Sequence, residues 1–187
     1  MIKIFHKEII EFIKEYNKKY KFFTTNVLIR LSNPDIFLIG NGSLLIQFQD
    51  EDLKEELEDG CYELNDKFEV DINSKDRNLN KYEAVKEILG NKFRVIGLMG
   101  YTEDIEYIFT VAYLLGLGEG YYLEYKFIDL LKKKLIKKHP LISKFDKIGY
   151  YNGIYYLDSL YSKIYVSGWK IKDNEKIKVV INNLKEG

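Results

Sequence analysis

The chain has 187 residues, a length that suits one domain or two small lobes around a buried core. Its 29 Lys and Arg residues balance its 29 Asp and Glu residues, which argues against a broad electrostatic attraction to nucleic acid or to an anionic membrane. The single cysteine, Cys61, excludes an intramolecular disulfide and favours a reducing compartment, so we expect a cytoplasmic protein.

Charged residues interrupt every long apolar stretch of the sequence. Near the N-terminus they recur every few positions, so we expect neither a signal peptide nor a membrane-spanning helix there. The longest apolar stretch, residues 105–117, contains Glu106 and is shorter than the roughly 20 residues that a membrane-spanning helix needs. We therefore expect no membrane partner.

The first part of the sequence predicts a helix followed by a β-hairpin. Apolar residues at spacings of three and four predict a helix over residues 3–19. Residues 22–31 are rich in β-branched and aromatic side chains, which favour a strand. The Asn-Gly pair at 41–42 lies between two apolar runs and predicts a hairpin of residues 36–39 and 44–48.

A short acidic helix and a second pair of strands are predicted next. Acidic residues at 50–52 favour a helix start, because the N-terminal end of a helix attracts negative charge, and we expect this helix to end at Gly60. Residues 61–64 and 68–72 predict the strand pair. We expect all 187 residues to form a single domain, and the polar stretch 73–80 is the best candidate for a boundary between two lobes.

Three helices and a strand are predicted in the central part of the chain. Helical spacing of apolar residues predicts a helix that ends at Gly90, and residues 93–96 predict a strand that ends at Gly97. A helix over residues 103–115 is apolar on most faces, so we expect it to be buried. The apolar face of a further amphipathic helix is formed by Leu123, Phe127, Leu130, Leu131 and Leu135.

From residue 147 onward the sequence predicts an antiparallel β-meander. Its strands are expected at residues 147–151, 154–157, 163–171 and 176–181. Asn-Gly at 152–153 is typical of the tight turns that join such strands. An N-terminal helix, β-hairpins, central helices and this meander together predict an α+β fold.

The meander carries an unusual concentration of aromatic residues. Alternate residues of a strand point to opposite faces, so adjacent pairs such as Tyr155 and Tyr156 cannot all enter one core. We therefore expect some of these rings to be exposed, and exposed tyrosine and tryptophan are enriched in interaction hot spots. The residues that we predict to bind a protein partner are Tyr151, Tyr156, Tyr161 and Trp169.

This tyrosine-rich surface leads to the main functional hypothesis. We predict a non-catalytic binding or regulatory protein, such as an immunity protein or an inhibitor from a host-parasite conflict. The sequence predicts no metal site, because two histidines and one cysteine are too few for a structural zinc site. It also predicts no cofactor for this function.

Part of the meander resembles a nuclease motif. Gly153-Ile154-Tyr155 followed by Tyr165-Val166-Ser167-Gly168 is similar to the opening hairpin of GIY-YIG nucleases. The resemblance implies a hairpin whose tyrosines lie beside a catalytic arginine. The arginines of this chain are Arg30, Arg77 and Arg94. All of them precede the motif, so the residues favour a tyrosine-rich hairpin.

The alternative hypothesis is an enzyme or a binder of a small molecule or nucleotide. Residues 114–120 resemble the glycine loop of S-adenosylmethionine-dependent methyltransferases, in which glycine lets the backbone approach the ligand, although Leu115 stands where that family has an acidic residue. A second glycine loop is expected at Gly97 to Gly100, next to a helix N-terminus that would favour an anion. The predicted ligand-binding residues are Gly100, Gly116, Gly118 and Gly120.

A basic strip supports a third hypothesis. Five lysines lie within Lys132 to Lys138, and nearby tyrosines offer surfaces for base stacking. This strip would contact nucleic acid through phosphate groups. The balanced net charge of the chain places this hypothesis behind the other two.

Overall fold

A ten-stranded antiparallel sheet with helices against both faces organises the chain. The computed structural model describes residues 2–21, 24–102, 120–136, 145–159 and 162–170. This architecture confirms the predicted α+β fold. None of the helices in these described ranges is long and apolar enough to cross a membrane.

The elements follow one another in a simple order. The strands are β1 (Ile2–Lys3), β2 (Val27–Ser32), β3 (Asp35–Gly40), β4 (Leu44–Phe48), β5 (Gly60–Leu64), β6 (Glu69–Asp71), β7 (Arg94–Thr102), β8 (Tyr121–Tyr122), β9 (Phe145–Tyr151), β10 (Ile154–Ser159), β11 (Lys163–Ser167) and β12 (Trp169–Lys170). The helices are α1 (Lys7–Tyr20), α2 (Glu51–Glu56), α3 (Leu79–Gly90) and α4 (Tyr125–Leu131), which continues as a π-helical turn over Lys132–Ile136. The sheet order is β1-β6-β5-β2-β3-β4-β11-β10-β9-β7, and β12 pairs separately with β8.

The first helix confirms the prediction but begins later. Helix α1 begins at Lys7 and not at Lys3, because Ile2 and Lys3 form the edge strand β1 opposite Val70 and Glu69. Glu8 in its first turn and lysines in its last turn match the polarity of the helix dipole. Its buried side chains are Ile9, Phe12, Ile13 and Tyr16.

The predicted hairpin is confirmed as β3 and β4, with Ile39 opposite Ile46. Side-chain hydrogen bonds hold its turn, because Asn41 Oδ1 accepts from the backbone N–H groups of Ser43 at 2.8 Å and Leu44 at 3.1 Å. The Asn41 amide also donates to Asn17 Oδ1 at 2.6 Å, which ties the turn to α1. The turn is therefore anchored to a neighbouring element and is not a free loop.

Helix α2 confirms the acidic helix and its start. The carboxylate of Asp50 caps the N-terminus by accepting a hydrogen bond from the backbone N–H of Leu53 at 3.1 Å. The same carboxylate is 3.0 Å from His6 Nε2, at the start of α1. The helix ends at Glu56, earlier than predicted, because Leu57 is already extended.

The two faces of the sheet carry two separate apolar clusters. We call them the α1 face, which α1, α2 and α4 cover, and the α3 face, which α3 covers. The larger cluster lies on the α1 face and contains Phe12, Phe37, Phe127 and Tyr155. The smaller cluster, on the α3 face, consists of Val27, Ile29, Leu31, Ile36, Leu38 and Cys61.

The meander is confirmed for three strands, because β9, β10 and β11 are consecutive neighbours in the sheet. The predicted third strand is shorter than residues 163–171, since the chain leaves the sheet after Ser167 and Trp169 pairs with Tyr122. The predicted strand at 176–181 and the predicted helix at 103–115 lie outside the described residues.

The segment proposed as a lobe boundary is ordered and polar. Residues 72–78 form two short 3-10 turns, and α3 begins at Leu79. The buried Asn78 amide donates to Glu63 Oε1 at 3.2 Å, which ties the segment to β5. Strands from both sides of this segment share the sheet through the β4–β11 pair. The number of domains stays a prediction.

Candidate functional site

The sheet separates the tyrosines that the sequence analysis grouped together. Tyr150 and Tyr155 belong to the buried cluster of the α1 face, whereas Tyr156 points to the α3 face and is only 8% exposed. The expectation that the ring of Tyr156 is exposed was therefore wrong. Its physical reason is that both faces of the sheet are covered, so adjacent tyrosines enter two different cores.

Tyr151 and Trp169, which were also predicted to bind a partner, lie apart from each other. Tyr151 is half-buried at the end of β9. Trp169 is half-buried on the opposite face, with its ring centroid 5.1 Å from that of Tyr20. Tyr161 lies outside the described residues. Partner binding by these residues stays a prediction.

Four rings form an aromatic cluster on the α3 face. The ring of Phe93, which follows α3, lies 5.8 Å from Tyr151, 5.6 Å from Tyr156 and 6.0 Å from Tyr165. The ring centroids of Tyr156 and Tyr165, which lie on neighbouring strands, are 5.4 Å apart. Such pairs stabilise cores beyond their buried area. The cluster therefore fixes the C-terminal end of α3 over β9, β10 and β11.

A buried carboxylate lies beside this cluster. Asp158 is 9% exposed and accepts a hydrogen bond from the hydroxyl of Tyr156. Lys163 Nζ lies 3.9 Å from the Asp158 carboxylate and 5.5 Å from the centre of the Tyr156 ring. A buried carboxylate is costly unless it is paired and hydrogen-bonded. Tyr156 and Lys163 together meet that need.

Tyr156 and Tyr165 of this cluster resist ionisation. Burial raises the pKa of Tyr156, and its hydrogen bond to the Asp158 carboxylate raises it further. Burial also raises the pKa of Tyr165, with a smaller contribution from the charge of Asp158. Both hydroxyls are therefore neutral donors throughout the physiological pH range.

This burial predicts alkaline unfolding. Tyrosines of the unfolded chain ionise near pH 10. In the folded chain Tyr156 and Tyr165 keep their protons to higher pH, because their pKa is raised. Their contribution to stability is therefore complete below about pH 10 and is lost as the pH rises through the folded pKa. We expect the free energy of unfolding, measured in urea, to fall above that pH. The fall should be shallower in a Tyr156→Phe, Tyr165→Phe double variant. The titration is measured by the absorbance of tyrosinate, with circular dichroism to show that the chain is still folded. Ionisation of all tyrosines near pH 10 in the folded chain would contradict the burial.

A groove of about 590 Å³ opens between α3 and the sheet. Volumes of about 300 to 1,000 Å³ are typical of small-molecule sites. The sheet contributes apolar side chains to the groove, among them Val27, Ile29, Leu45, Ile154 and Tyr165. The helix contributes Lys81, Ala84, Val85, Ile88 and Leu89. The groove is therefore mainly apolar, with Tyr165 as its aromatic wall.

The groove exists because α3 does not pack closely on the sheet. None of the residues of α3 is fully buried, although Val85 and Leu89 contact the apolar cluster of the α3 face. On the sheet side, Leu45 and Tyr165 are only half-buried. Apolar surface on both sides of a gap is surface that a ligand would remove from water.

Helix α3 crosses the strands of the sheet. Lys81 lies in the first turn of α3, and Asn78, just before that turn, donates to Glu63 Oε1 of β5 at 3.2 Å. Beyond its C-terminus, Phe93 contacts Tyr156 of β10. The groove thus has a charged end near β5 and an aromatic end near β11.

The glycines predicted to bind a ligand lie elsewhere. Gly97 and Gly100 belong to strand β7, which continues to Thr102, so the prediction of a glycine loop there was wrong. Strand β7 pairs with β9 from Arg94 to Gly97 and again at Thr102, and the register shifts between these points. Gly120 lies in a turn before β8 and adopts a φ of 77°, but it does not line the groove. Gly116 and Gly118 lie outside the described residues.

The basic strip is partly neutralised by acidic residues. Lys133 Nζ lies 2.7 Å from the Asp129 carboxylate, and Lys134 Nζ lies 3.9 Å from the Glu15 carboxylate. Residues 137–138 lie outside the described ranges. Nucleic-acid binding through this strip stays a prediction. In the part of the chain that the structure describes, histidine, cysteine and acidic side chains form no group of three that would hold a metal ion.

The groove beneath α3 is the candidate site that the geometry favours. Sequence reasoning missed it because its walls come from strands distant in sequence and from a helix that resembles an ordinary amphipathic helix. Comparison of the chain with protein-family models, with curated proteins and with solved structures found no match.

Proposed function

We propose that the chain is a binding protein that holds a small apolar or amphipathic molecule in the groove beneath α3. The observation that supports this most directly is the volume of about 590 Å³ between two apolar walls. Compact interiors rarely leave voids larger than a water molecule. A gap of this size, lined by half-buried apolar side chains, favours a ligand.

Burial of apolar surface would stabilise a complex in the groove. Each Å² of apolar surface removed from water contributes about 25 cal/mol. A ligand in the groove would cover the exposed parts of Leu45, Val85 and Tyr165 together with its own apolar surface. The sheet supplies a rigid wall, because β4 and β11 are paired over Lys163↔Gln47 to Val166↔Leu44. A wall already in place lowers the entropic cost of binding.

This proposal differs from the main prediction, which was binding of a protein partner through a tyrosine-rich surface. It shares a small-molecule ligand with the alternative hypothesis but puts that ligand on the α3 face and not at the glycine loops. Tyr165 and not Tyr156 provides the aromatic contact. The roles of immunity protein or inhibitor, and the enzyme alternative, stay predictions.

A substitution that fills the groove tests the proposal. Ala84 lines the groove and is exposed on α3, so Ala84→Trp places an indole in the gap without removing a core contact. We expect the affinity for N-phenylnaphthylamine, an uncharged fluorescent probe, to fall about tenfold or more, which corresponds to about 1.4 kcal/mol. Fluorescence titration with excitation beyond the tryptophan absorbance measures this change.

The matched control places the same indole elsewhere on α3. Glu83 precedes Ala84 and does not line the groove, and its contact with Lys86 is a 3.6 Å surface ion pair of small value. Glu83→Trp should leave the probe affinity nearly unchanged. Equal affinities in Ala84→Trp and in the wild-type chain, with both folded by circular dichroism, would reject the groove as the binding site.

A further inference from the structure

The charge of the groove indicates the class of ligand, an inference that rests on the function proposed above. We infer that the groove takes a monoanion with an apolar body, such as a long-chain carboxylate, and that the ammonium group of Lys81 binds its charged end. Among the described residues that line the groove, Lys81 is the one charged residue and none is acidic. A cationic or dianionic ligand would not match this lining.

Lys81 differs from Lys75, Arg77 and Lys86, the basic residues nearest to it in the sequence. Each of these three has an acidic partner, measured from the side-chain nitrogen to a carboxylate oxygen. The distances are 2.7 Å for Lys75 and Glu58, 2.9 Å for Arg77 and Asp71, and 3.6 Å for Lys86 and Glu83. None of the ion pairs among the described residues includes Lys81, and its side chain is exposed. Glu63 of β5 accepts a hydrogen bond from the Asn78 amide, and its carboxylate lies 3.7 Å from the Arg77 guanidinium. The Lys81 ammonium is therefore available to an external anion.

The position of Lys81 along the groove fits an amphipathic molecule. Lys81 lies in the first turn of α3, near β5, whereas Tyr165 and Ile154 line the region near β10 and β11. Between them the walls are apolar, with Val85 from the helix and Leu45 from the sheet. A carboxylate at Lys81 would therefore place its hydrocarbon chain along apolar surface toward Tyr165.

The other polar residues that the structure places along the groove are uncharged. Thr24, Thr25, Ser43 and Ser167 contribute hydroxyl groups. The Asn41 amide is already committed, because its nitrogen donates to Asn17 at 2.6 Å and its oxygen accepts from Ser43 Oγ at 2.9 Å. Discrimination between an anion and a neutral molecule of the same length thus depends on Lys81.

The experiment compares decanoate with decanol, which share a hydrocarbon chain and differ in charge. Each is tested for displacement of N-phenylnaphthylamine at low ionic strength, decanoate below its critical micelle concentration and decanol below its solubility limit. An exposed ion pair supports a preference of about fivefold for decanoate in the wild-type chain. Added salt should reduce the preference, because salt screens exposed charges.

Three variants assign that preference to one side chain. Lys81→Met should abolish it, while Lys81→Arg should retain it because the charge remains. Lys86→Met is the matched control, since Lys86 is an exposed lysine of the same helix that does not line the groove. It should retain the preference.

The outcomes separate this inference from the proposed function. If the probe binds and decanol displaces it as well as decanoate does, or if Lys81→Met keeps the preference, the anion inference is wrong while the groove remains a binding site. If the probe does not bind the wild-type chain at all, the proposed function fails and the inference fails with it.

Discussion

Replacing Gly40 with alanine is expected to lower the free energy of unfolding by about 3 kcal/mol or more, a loss at the upper end of single substitutions. Gly40 ends β3 with a φ of 154°, a conformation that L side chains rarely adopt. A Cβ there would lie 1.9 Å from the carbonyl oxygen of Leu44. That oxygen belongs to the backbone of β4 and accepts from the N–H of Asn41 at 2.8 Å, so it cannot rotate away.

The neighbouring glycine of the same turn provides the control. A Cβ at Gly42 would meet nothing within 4 Å, so Gly42→Ala should change the free energy of unfolding by less than about 0.5 kcal/mol. Urea denaturation of the two variants and the wild-type chain measures the difference. Similar losses in both variants would show that the close approach at Gly40 does not exist.

The same turn links stability to the proposed function. Asn41, Gly42, Ser43 and Leu44 all line the groove beneath α3. Any movement of this turn that accommodates a side chain at Gly40 therefore also reshapes the groove. We expect a Gly40 variant that still folds to bind apolar probes less well than the Gly42 variant.

Sequence patterns predicted the elements whose signals are local. The helical spacing of Ile9, Phe12 and Tyr16 gave α1, and the Asn-Gly turn gave the β3–β4 hairpin. The acidic residues near Asp50 gave α2, because capping depends on a few neighbouring residues. Such signals need no knowledge of the rest of the fold.

The strand order and the groove depend on contacts between distant residues. The β4–β11 pair, with Ile46 opposite Ile164, joins segments more than a hundred residues apart. The sequence of neither strand indicates which strand it pairs with. The prediction for the meander assumed one covered face and therefore expected Tyr156 to be exposed. The sequence held a signal against that assumption, since residues 36–39 form a continuous apolar run, which is typical of strands covered on both faces. In the structure, residues 27–31 and 36–39 are buried without alternation.

Lys81 illustrates why the site could not be found in the sequence. In the chain it stands among other charged residues of α3, where a lysine ordinarily faces water. Its significance appears only when the sheet places apolar strands opposite it and when its neighbours Arg77 and Lys86 prove to have acidic partners. Charge complementarity of a site is a property of the fold.

The second large effect is expected on the opposite face of the sheet. Phe127 of α4 is fully buried, and its ring lies 6.2 Å from Phe12, 5.9 Å from Tyr16 and 6.5 Å from Trp169. It therefore joins α4 to α1 and β12. Phe127→Ala should lower the free energy of unfolding by about 3 to 5 kcal/mol, because it removes a buried ring and leaves a cavity.

Lys126 is the matched control, since it is the preceding residue of the same helix and is exposed. Lys126→Ala should change stability by less than about 0.5 kcal/mol. Urea denaturation followed by the fluorescence of Trp169, the one tryptophan of the chain, measures both variants. A loss below about 1 kcal/mol in Phe127→Ala would mean that α4 does not pack on α1 as described, because a ring inserted between two helices cannot be removed at so small a cost.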